Sequence, residues 1–259
     1  MSRIALAALA LLAGCATQAP EVPTVADSGI ITGETSDPRN RARLRTELAS
    51  LYYARGNHGV ALDELRQAVA ADPGYAPAHG VFGLVYMELK ENQLAQQSFE
   101  RALSLAPTDP DLNHNYGRFL CLTGRELDSI RYFQQAIRNP LYPAPWRSHS
   151  AAGFCLARTG KLKEAEEYLQ SALKLQPDEP TALMQLAQLR YGAGQLEEAR
   201  KLVARLNKVV EPSPESLWLA LRIERRLGER LAEASFASQL RRRFPGSPEY
   251  QQLQRGEYD

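Results

Sequence analysis

The feature that most constrains the fold of this 259-residue chain is an internal repeat with a period of 34 residues. Pro73 and Pro107 lie one period apart, and the residues before each proline fall in the same phase. The shared positions carry small or apolar side chains: Leu48, Ala49, Tyr52, Ala61, Leu65 and Ala68 in the first unit, and Phe82, Gly83, Tyr86, Ala95, Phe99 and Ala102 in the second. No stretch of useful length alternates between apolar and polar residues with period two, which argues against a sheet. The period predicts stacked helix pairs, in which neighbouring units supply one continuous core.

Six units follow one another along the chain. They lie at about residues 42–75, 76–109, 110–143, 146–179, 180–213 and 214–247, with a two-residue insertion before residue 145 and a degenerate sixth unit. Small residues such as Gly83, Gly117 and Gly153 would let the two helices of a unit approach closely, and a proline after each second helix would end it. The pattern resembles the tetratricopeptide repeat. It predicts an all-α superhelix of about six helix pairs, in a domain at residues 39–259.

The first residues resemble a bacterial lipoprotein signal. Arg3 precedes an apolar run that is too short to span a bilayer. The run ends in Leu12, Ala13, Gly14 and Cys15, which resemble the lipobox that precedes a lipidated cysteine. An ordinary signal peptide that contains a cysteine is the alternative. We therefore expect residues 1–14 to be a signal peptide and Cys15 to be the lipidation site.

The segment after Cys15 is rich in Pro, Thr, Ser, Gly and Asp, and it has no periodic apolar pattern. Such a composition cannot bury enough apolar surface to fold, so residues 15–38 are expected to form a flexible tether between the lipid and the repeats. Ala16 follows the cysteine where an Asp would favour the inner membrane in the lipoprotein sorting rule. The resemblance therefore implies the periplasmic face of the outer membrane.

Charge and motif content argue against several classes of function. Removal of residues 1–14 would lower Lys+Arg from 31 to 30, equal to the 30 Asp+Glu, so no global charge draws the chain to nucleic acid. No phosphate loop, nucleophile elbow, dinucleotide fingerprint or metalloprotease motif occurs. We therefore expect a protein that is not an enzyme and that takes no cofactor and no small-molecule substrate.

Three histidines, His79, His114 and His149, recur every 35 residues and fall on successive first helices. A row of metal ligands is one interpretation. Equivalent positions in adjacent units are separated by roughly the interaxial distance of 8 to 10 Å, however, which is too far for imidazoles that must each lie about 2 Å from one zinc. Partly buried polar positions are the favoured interpretation, and no metal site is expected.

The first helix of each pair should line the inner surface of the superhelix, where function is expected. Several residues there are apolar or charged although the repeat core does not require it, and we take them as a candidate partner-binding groove: Tyr53, Leu84, Met87, Glu88, Arg118 and Phe154. The apolar members suggest a strip suited to a partner peptide or helix. The alternative is that some of them only pack against the neighbouring helix.

Cys121 and Cys155 fall on the first helices of the third and fourth units, close to the same height. A secretory signal implies an oxidising compartment, in which a pair of cysteines in register on adjacent helices would form a disulfide. Two buried, reduced thiols are the alternative, because spacing alone does not prove a pairing.

Several residues resemble the type IV pilus biogenesis and stability lipoproteins, the PilF/PilW family. They are the runs Asn115-Tyr116-Gly117, Phe119-Leu120-Cys121, Asn139-Pro140 and Gly153-Phe154-Cys155, and the tail from Ala234 to Tyr250. The resemblance implies a pilotin, which brings the pilus secretin to the outer membrane and supports its assembly. It also implies lipid on Cys15, a Cys121–Cys155 disulfide and docking in the groove of the early repeats. A general envelope scaffold of the same fold, serving another periplasmic or outer-membrane complex, is the alternative.

Overall fold

The computed structural model describes residues 37–258, and within that range it contains thirteen α-helices and no strand. The helices are α1 Pro38–Ala54, α2 His58–Ala71, α3 Ala76–Glu88, α4 Asn92–Leu105, α5 Pro110–Leu122, α6 Glu126–Arg138, α7 Pro145–Arg158, α8 Leu162–Leu175, α9 Pro180–Gly192, α10 Leu196–Val209, α11 Pro214–Leu227, α12 Arg230–Arg243 and α13 Pro248–Arg255. The first twelve form six antiparallel pairs, so the predicted all-α superhelix is confirmed. The expected signal peptide at residues 1–14, the expected lipidation site Cys15 and nearly all of the expected tether lie outside the described residues.

The odd-numbered helices α1 to α11, which we call the first helices, lie side by side, and each contacts the first helix of the next pair. The even-numbered second helices α2 to α12 contact their own partner and the first helix that follows, but within residues 37–258 they do not contact one another. The first helices are therefore closer together than the second helices. The stack curves, and the first helices form its inner face.

Glycine allows the two helices of a pair to approach closely in the second, third and fourth repeats. A Cβ atom added to Gly83 would lie 2.6 Å from the ring of Phe99 on the second helix, and one added to Gly117 would lie 2.8 Å from Phe133. Gly153 faces Leu169 in the same way, at 2.6 Å. Because these larger partners are fully buried, any side chain at the glycine would have to displace the core.

Most first helices begin with a polar cap followed by proline. The side chains of Asp37, Asp109, Glu179 and Ser213 each accept hydrogen bonds from backbone N–H groups of the first helical turn, and a proline follows each of them. Ser247 and Pro248 begin α13 in the same way. Proline costs nothing at that position, because its missing N–H would have no partner there. Within residues 37–258 no helix is long and apolar enough to cross a membrane.

The two ends of the stack differ. At the C-terminal end, α13 and the residue Tyr258 cover α11 and α12: the ring of Tyr258 stacks on Trp218, and the Nε of Arg222 donates a 2.7 Å hydrogen bond to the Tyr258 carbonyl. At the N-terminal end, Leu44 and Leu51 of α1 are 43% and 58% exposed. The positions equivalent to Leu44 are buried in all five later repeats. The preceding unit that would cover them is absent from the described chain.

Candidate functional site

The six residues predicted for the groove all lie on first helices. Tyr53 is on α1; Leu84, Met87 and Glu88 are on α3; Arg118 is on α5; and Phe154 is on α7. Glu88 is exposed, and the other five are half-buried. Side chains of four successive repeats therefore share the inner face.

Three of these residues are close enough to interact electrostatically. Burial raises the pKa of the Tyr53 hydroxyl, the carboxylate of Glu88 raises it further, and the guanidinium of Arg118 opposes that rise. The ring of Tyr53 also lies 6.0 Å from that of His58. The carboxylate of Glu88, the phenol of Tyr53 and the guanidinium of Arg118 therefore lie near one another on the inner face of the first three repeats.

Leu84 and Met87 require a correction, because they do not lie outside the repeat core as the sequence suggested. Both side chains pack on the buried cluster formed by Ala95, Phe99, Tyr116, Phe119 and Leu120. The first helices stand close together, so apolar side chains at their mutual contact are partly covered by the next repeat. A polar substitution of Leu84 or Met87 would weaken the fold as well as the surface.

A cavity of about 390 Å³ lies on the inner face between α5, α7 and the start of α9, and we call it the central cavity. Its walls are formed by His114, Arg118, Cys121, Leu122, Trp146, Arg147, Ser150, Ala151, Phe154, Cys155, Glu179 and Thr181. Arg118 and Phe154 are thus brought together here, one repeat apart. Tyr53, Leu84, Met87 and Glu88 do not line the cavity.

Cys121 and Cys155 form a disulfide bond in the wall of the central cavity, with an S–S distance of 2.00 Å and a Cα–Cα distance of 5.8 Å. Both cysteines are 1% exposed. The bond joins α5 to α7 directly, so it holds the third and fourth repeats together at the point where the cavity lies between them.

Two buried polar groups complete the cavity wall. His114 is 3% exposed, and its Nδ1 shares a 2.9 Å hydrogen bond with the Oγ of Ser148. Burial, followed by the positive charges of Arg147 and Arg118, lowers the pKa of His114 to about 3, so the imidazole is neutral at physiological pH. The Glu179 carboxylate accepts hydrogen bonds from Ser150 Oγ and from the backbone N–H groups at the start of α9.

The other two histidines that recur every 35 residues, His79 and His149, contact different residues. The Nε2 of His79 contacts the carbonyl of Pro73 at 3.1 Å, while the ring of His149 lies 5.8 Å from that of Tyr168. In the part of the chain that the structure describes, no three His, Cys, Asp or Glu side chains are grouped in a way that could hold a metal ion.

The sequence did not identify Trp146, Arg147 and Glu179 as groove residues. All three lie in or just before the first turn of a first helix, where a proline at residue 145 or 180 marks the helix start. The signal that could have found them is this proline, because it places the adjacent side chains at the edge of the inner face. The two-residue insertion before α7 obscured the phase there.

Comparison with known proteins identifies the repeat. One model of the tetratricopeptide repeat matches residues 46–110 and 124–180, and a second matches residues 156–221. Together they extend from α1 to α11. The predicted repeat type is confirmed.

Comparison with individual proteins identifies the family. The type IV pilus assembly protein PilF of Pseudomonas aeruginosa is 29% identical over 244 residues, which cover 94% of this chain and 93% of that protein. Its solved structure matches with a TM-score of 0.78 and 28% identity, over 85% of this chain and 99% of PilF. The crystal structure of PilW, a widely conserved type IV pilus biogenesis factor, matches with a TM-score of 0.77 and 34% identity, over 82% of this chain and 98% of PilW. This chain therefore belongs to the family of type IV pilus biogenesis proteins built from tetratricopeptide repeats, which includes PilF and PilW.

Proposed function

We propose that the chain is a non-enzymatic pilotin, a lipid-anchored protein of the outer membrane that supports the localisation and assembly of the type IV pilus secretin. The observation that carries the proposal is the match to PilF and PilW over nearly the whole length of both relatives. Tetratricopeptide-repeat proteins act by binding other proteins, and the inner face of this chain offers charged and apolar side chains for such contacts.

The anchor is argued from the N-terminal residues. Leu12, Ala13 and Gly14 precede Cys15 after a short apolar run, which supports a lipid on that cysteine. A single acyl chain binds a membrane only reversibly, so a stable anchor needs the two chains of a diacylglycerol or more. In this proposal the lipid holds the repeats at the periplasmic face of the outer membrane and leaves their inner face free.

Docking is argued from the inner face. Glu88 and Arg118 carry opposite charges on adjacent first helices, and Tyr53 and Phe154 add partly exposed aromatic surface. Aromatic and arginine side chains are the residues that most often dominate the affinity of protein interfaces. We assign secretin binding to these four residues, with Leu84 and Met87 as the packed floor between them.

The anchor is tested by Cys15→Ala in the cell that makes the protein. We expect the variant to fold, to leave the outer-membrane fraction, and to leave the secretin as monomers or in the wrong membrane. Cell fractionation and electrophoresis of unboiled membranes, which separates secretin multimers from monomers, measure both effects. A variant that remains entirely in the outer membrane would contradict the lipid anchor.

Docking is tested by Glu88→Lys, with Glu167→Lys as a charge-matched control on the second helix α8. Both side chains are exposed, so neither change should alter the thermal midpoint. We expect only Glu88→Lys to reduce the recovery of the secretin with the purified protein and the number of surface pili. If a strain that lacks the gene assembles its secretin normally, the pilotin assignment is wrong and the general envelope scaffold becomes the better proposal.

A further inference from the structure

We propose that the central cavity is a peptide-binding site for an extended acidic segment of a partner protein, in which a carboxylate side chain lies next to an aromatic one. The site shares Arg118 and Phe154 with the proposed secretin-docking surface and extends that surface to Trp146 and Arg147 of the fourth repeat. It rests on the proposed function only in that both use the inner face, and the test below needs no secretin.

The cavity carries an excess of positive charge. Arg118 and Arg147 both line it, and both act on His114 strongly enough to lower its pKa. The positive potential of the two guanidinium groups therefore reaches the buried wall. Arginine is also the side chain best suited to bind a carboxylate through two parallel hydrogen bonds.

Neither arginine is committed to a strong ion pair. Within residues 37–258, Arg118 has no carboxylate at ion-pair distance, and Arg147 has only Asp111, at 3.7 Å. The side chains of Arg147 and Asp111 are 41% and 59% exposed, and solvent-exposed pairs of this kind contribute little to stability. Burial outweighs Arg147 and raises the pKa of Asp111 above its usual value. A carboxylate supplied by a ligand can therefore replace Asp111 at little cost.

The acid and the histidine in the wall do not cancel this charge. Glu179 is 6% exposed, and its carboxylate is the N-cap of α9, where the N–H groups and the helix dipole compensate its charge. Its second partner is the hydroxyl of Ser150. His114 is neutral, so the accessible charge in the cavity is that of the two arginines.

An apolar wall lies beside the cations. Trp146 and Phe154 are half-buried, and Leu122 is 51% exposed. These side chains can cover an aromatic residue of a ligand while the neighbouring carboxylate reaches Arg118 or Arg147. A cavity of about 390 Å³ is near the small end of ligand pockets, which span roughly 300 to 1,000 Å³. That volume suits a few side chains of an extended segment and is too small for a helix or a folded domain.

The test is a titration with synthetic octapeptides whose ends are acetylated and amidated. The first alternates phenylalanine with aspartate, the second replaces every aspartate with lysine, and the third replaces every phenylalanine with serine. The chain has two tryptophans, so Trp218→Phe leaves Trp146 as the only indole and makes its fluorescence a direct reporter of the cavity. Anisotropy of fluorescein-labelled peptides, titrated with the unsubstituted chain, gives the same affinity without that variant.

We expect saturable binding of the first peptide, at least tenfold weaker binding of the other two, and an affinity that falls as salt is raised. Arg118→Gln and Arg147→Gln should each weaken binding at least fivefold, and Arg118→Lys should restore only part of the loss, because lysine cannot make the bidentate contact. The matched control is Arg101→Gln, an exposed arginine on the second helix α4, which should bind as the unsubstituted chain does.

Equal affinity for the aspartate and lysine peptides would overturn the proposal, as would unchanged binding to both glutamine variants while their melting temperatures equal that of the unsubstituted chain. Failure of the site is distinguishable from failure of the pilotin assignment. A chain that binds the acidic peptide but does not affect the secretin keeps the site and loses the assignment. A chain that binds no acidic peptide but is required for secretin multimers keeps the assignment and loses the site.

Discussion

The Nδ1 atom of His114 lies 2.9 Å from the Oγ of Ser148, and both residues are buried where α5 meets α7. The two positions are 34 residues apart in sequence, so the hydrogen bond joins the third repeat to the fourth. The hydrogen bond gives the buried Nδ1 atom a polar partner. A charged imidazolium at this position would be repelled by Arg147 and Arg118.

This contact predicts a pH dependence of stability. Burial and the two arginines lower the pKa of His114 from 6.5 to about 3 in the folded protein, so below pH 6.5 the unfolded chain binds more protons than the folded one. The contribution of neutral His114 to the free energy of unfolding is therefore fully present above pH 6.5. It is lost as the pH falls toward 3, by up to about 1.4 kcal/mol per pH unit.

Urea unfolding at several pH values between 7.5 and 4.5 measures this slope. His114→Gln keeps a hydrogen-bonding side chain but does not titrate, so its stability should fall less steeply with decreasing pH. Burial also lowers the pKa of His149, so part of the slope will remain in the variant. Parallel curves for the two proteins would show that His114 titrates normally.

The backbone at Lys90 predicts a stabilising substitution. Lys90 has a φ of +60°, while Gly56, Gly124, Gly160, Gly194 and Gly228 occupy the same turn in the other five repeats with φ between +76° and +84°. A left-handed conformation costs a side-chain-bearing residue about 1 to 2 kcal/mol, and the greater freedom of unfolded glycine cancels part of the gain. Lys90→Gly should raise the free energy of unfolding by about 0.5 to 1 kcal/mol.

Denaturant titration checks that value. The control is Arg55→Gly, since Arg55 has a φ of −93° in the corresponding turn of the first repeat and gains nothing from glycine. A Lys90→Gly variant that is no more stable than the unsubstituted chain would mean that the lysine side chain stabilises the turn in another way.

The surroundings of Gly83 and Gly59 predict that substitution by alanine has opposite effects on stability at the two positions. Gly83→Ala places a methyl group 2.6 Å from the fully buried ring of Phe99, so it should destabilise the protein by about 1 to 3 kcal/mol. Gly59→Ala, in the exposed first turn of α2, meets nothing within 4 Å. Because alanine is the better helix former, Gly59→Ala should stabilise by about 0.5 to 1 kcal/mol. Thermal melts that shift in the same direction would refute the packing argument.

The disulfide predicts a sensitivity to reduction. It closes a loop with a sequence separation of 34 residues, for which the chain-entropy model gives about 3 to 4 kcal/mol. Dithiothreitol should lower the stability of the purified protein by roughly that amount. It should have no effect on a variant that carries both Cys121→Ser and Cys155→Ser. Two free thiols in protein isolated from the periplasm, counted by mass spectrometry, would contradict the bond.

The fold was predictable because its signals are local and repeated. Three kinds of signal each constrain the backbone within a few residues: the proline at the end of each pair, the glycines at positions 83, 117 and 153, and the polar cap before Pro110. The same signals recur in successive repeats, which makes the prediction more secure. The helix α13 was missed, although Ser247 and Pro248 repeat the cap of Ser213 and Pro214, because it stands alone and adds no further period.

The groove residues were less predictable, because the exposure of a side chain on the inner face depends on how closely the first helices pack. Phase alone places Leu84 and Met87 on the inner face, but only the distance to the next first helix decides that they pack on the core. The central cavity in turn depends on three helices at once. Phe154 and Arg118 could be assigned from their phase, whereas Trp146 needed the start of α7, which lies after an irregular loop.

The cover that Tyr258 and α13 place on the last helix pair has a consequence for assembly. A solenoid with two bare, complementary ends can add copies head to tail without limit, which is how open filaments form. Here one of the two surfaces needed for such growth is already occupied by the chain's own C-terminus. Among residues 37–258, the exposed apolar surface at Leu44 and Leu51 can then pair only with the same surface of a second copy, and a contact between two identical ends closes at a pair.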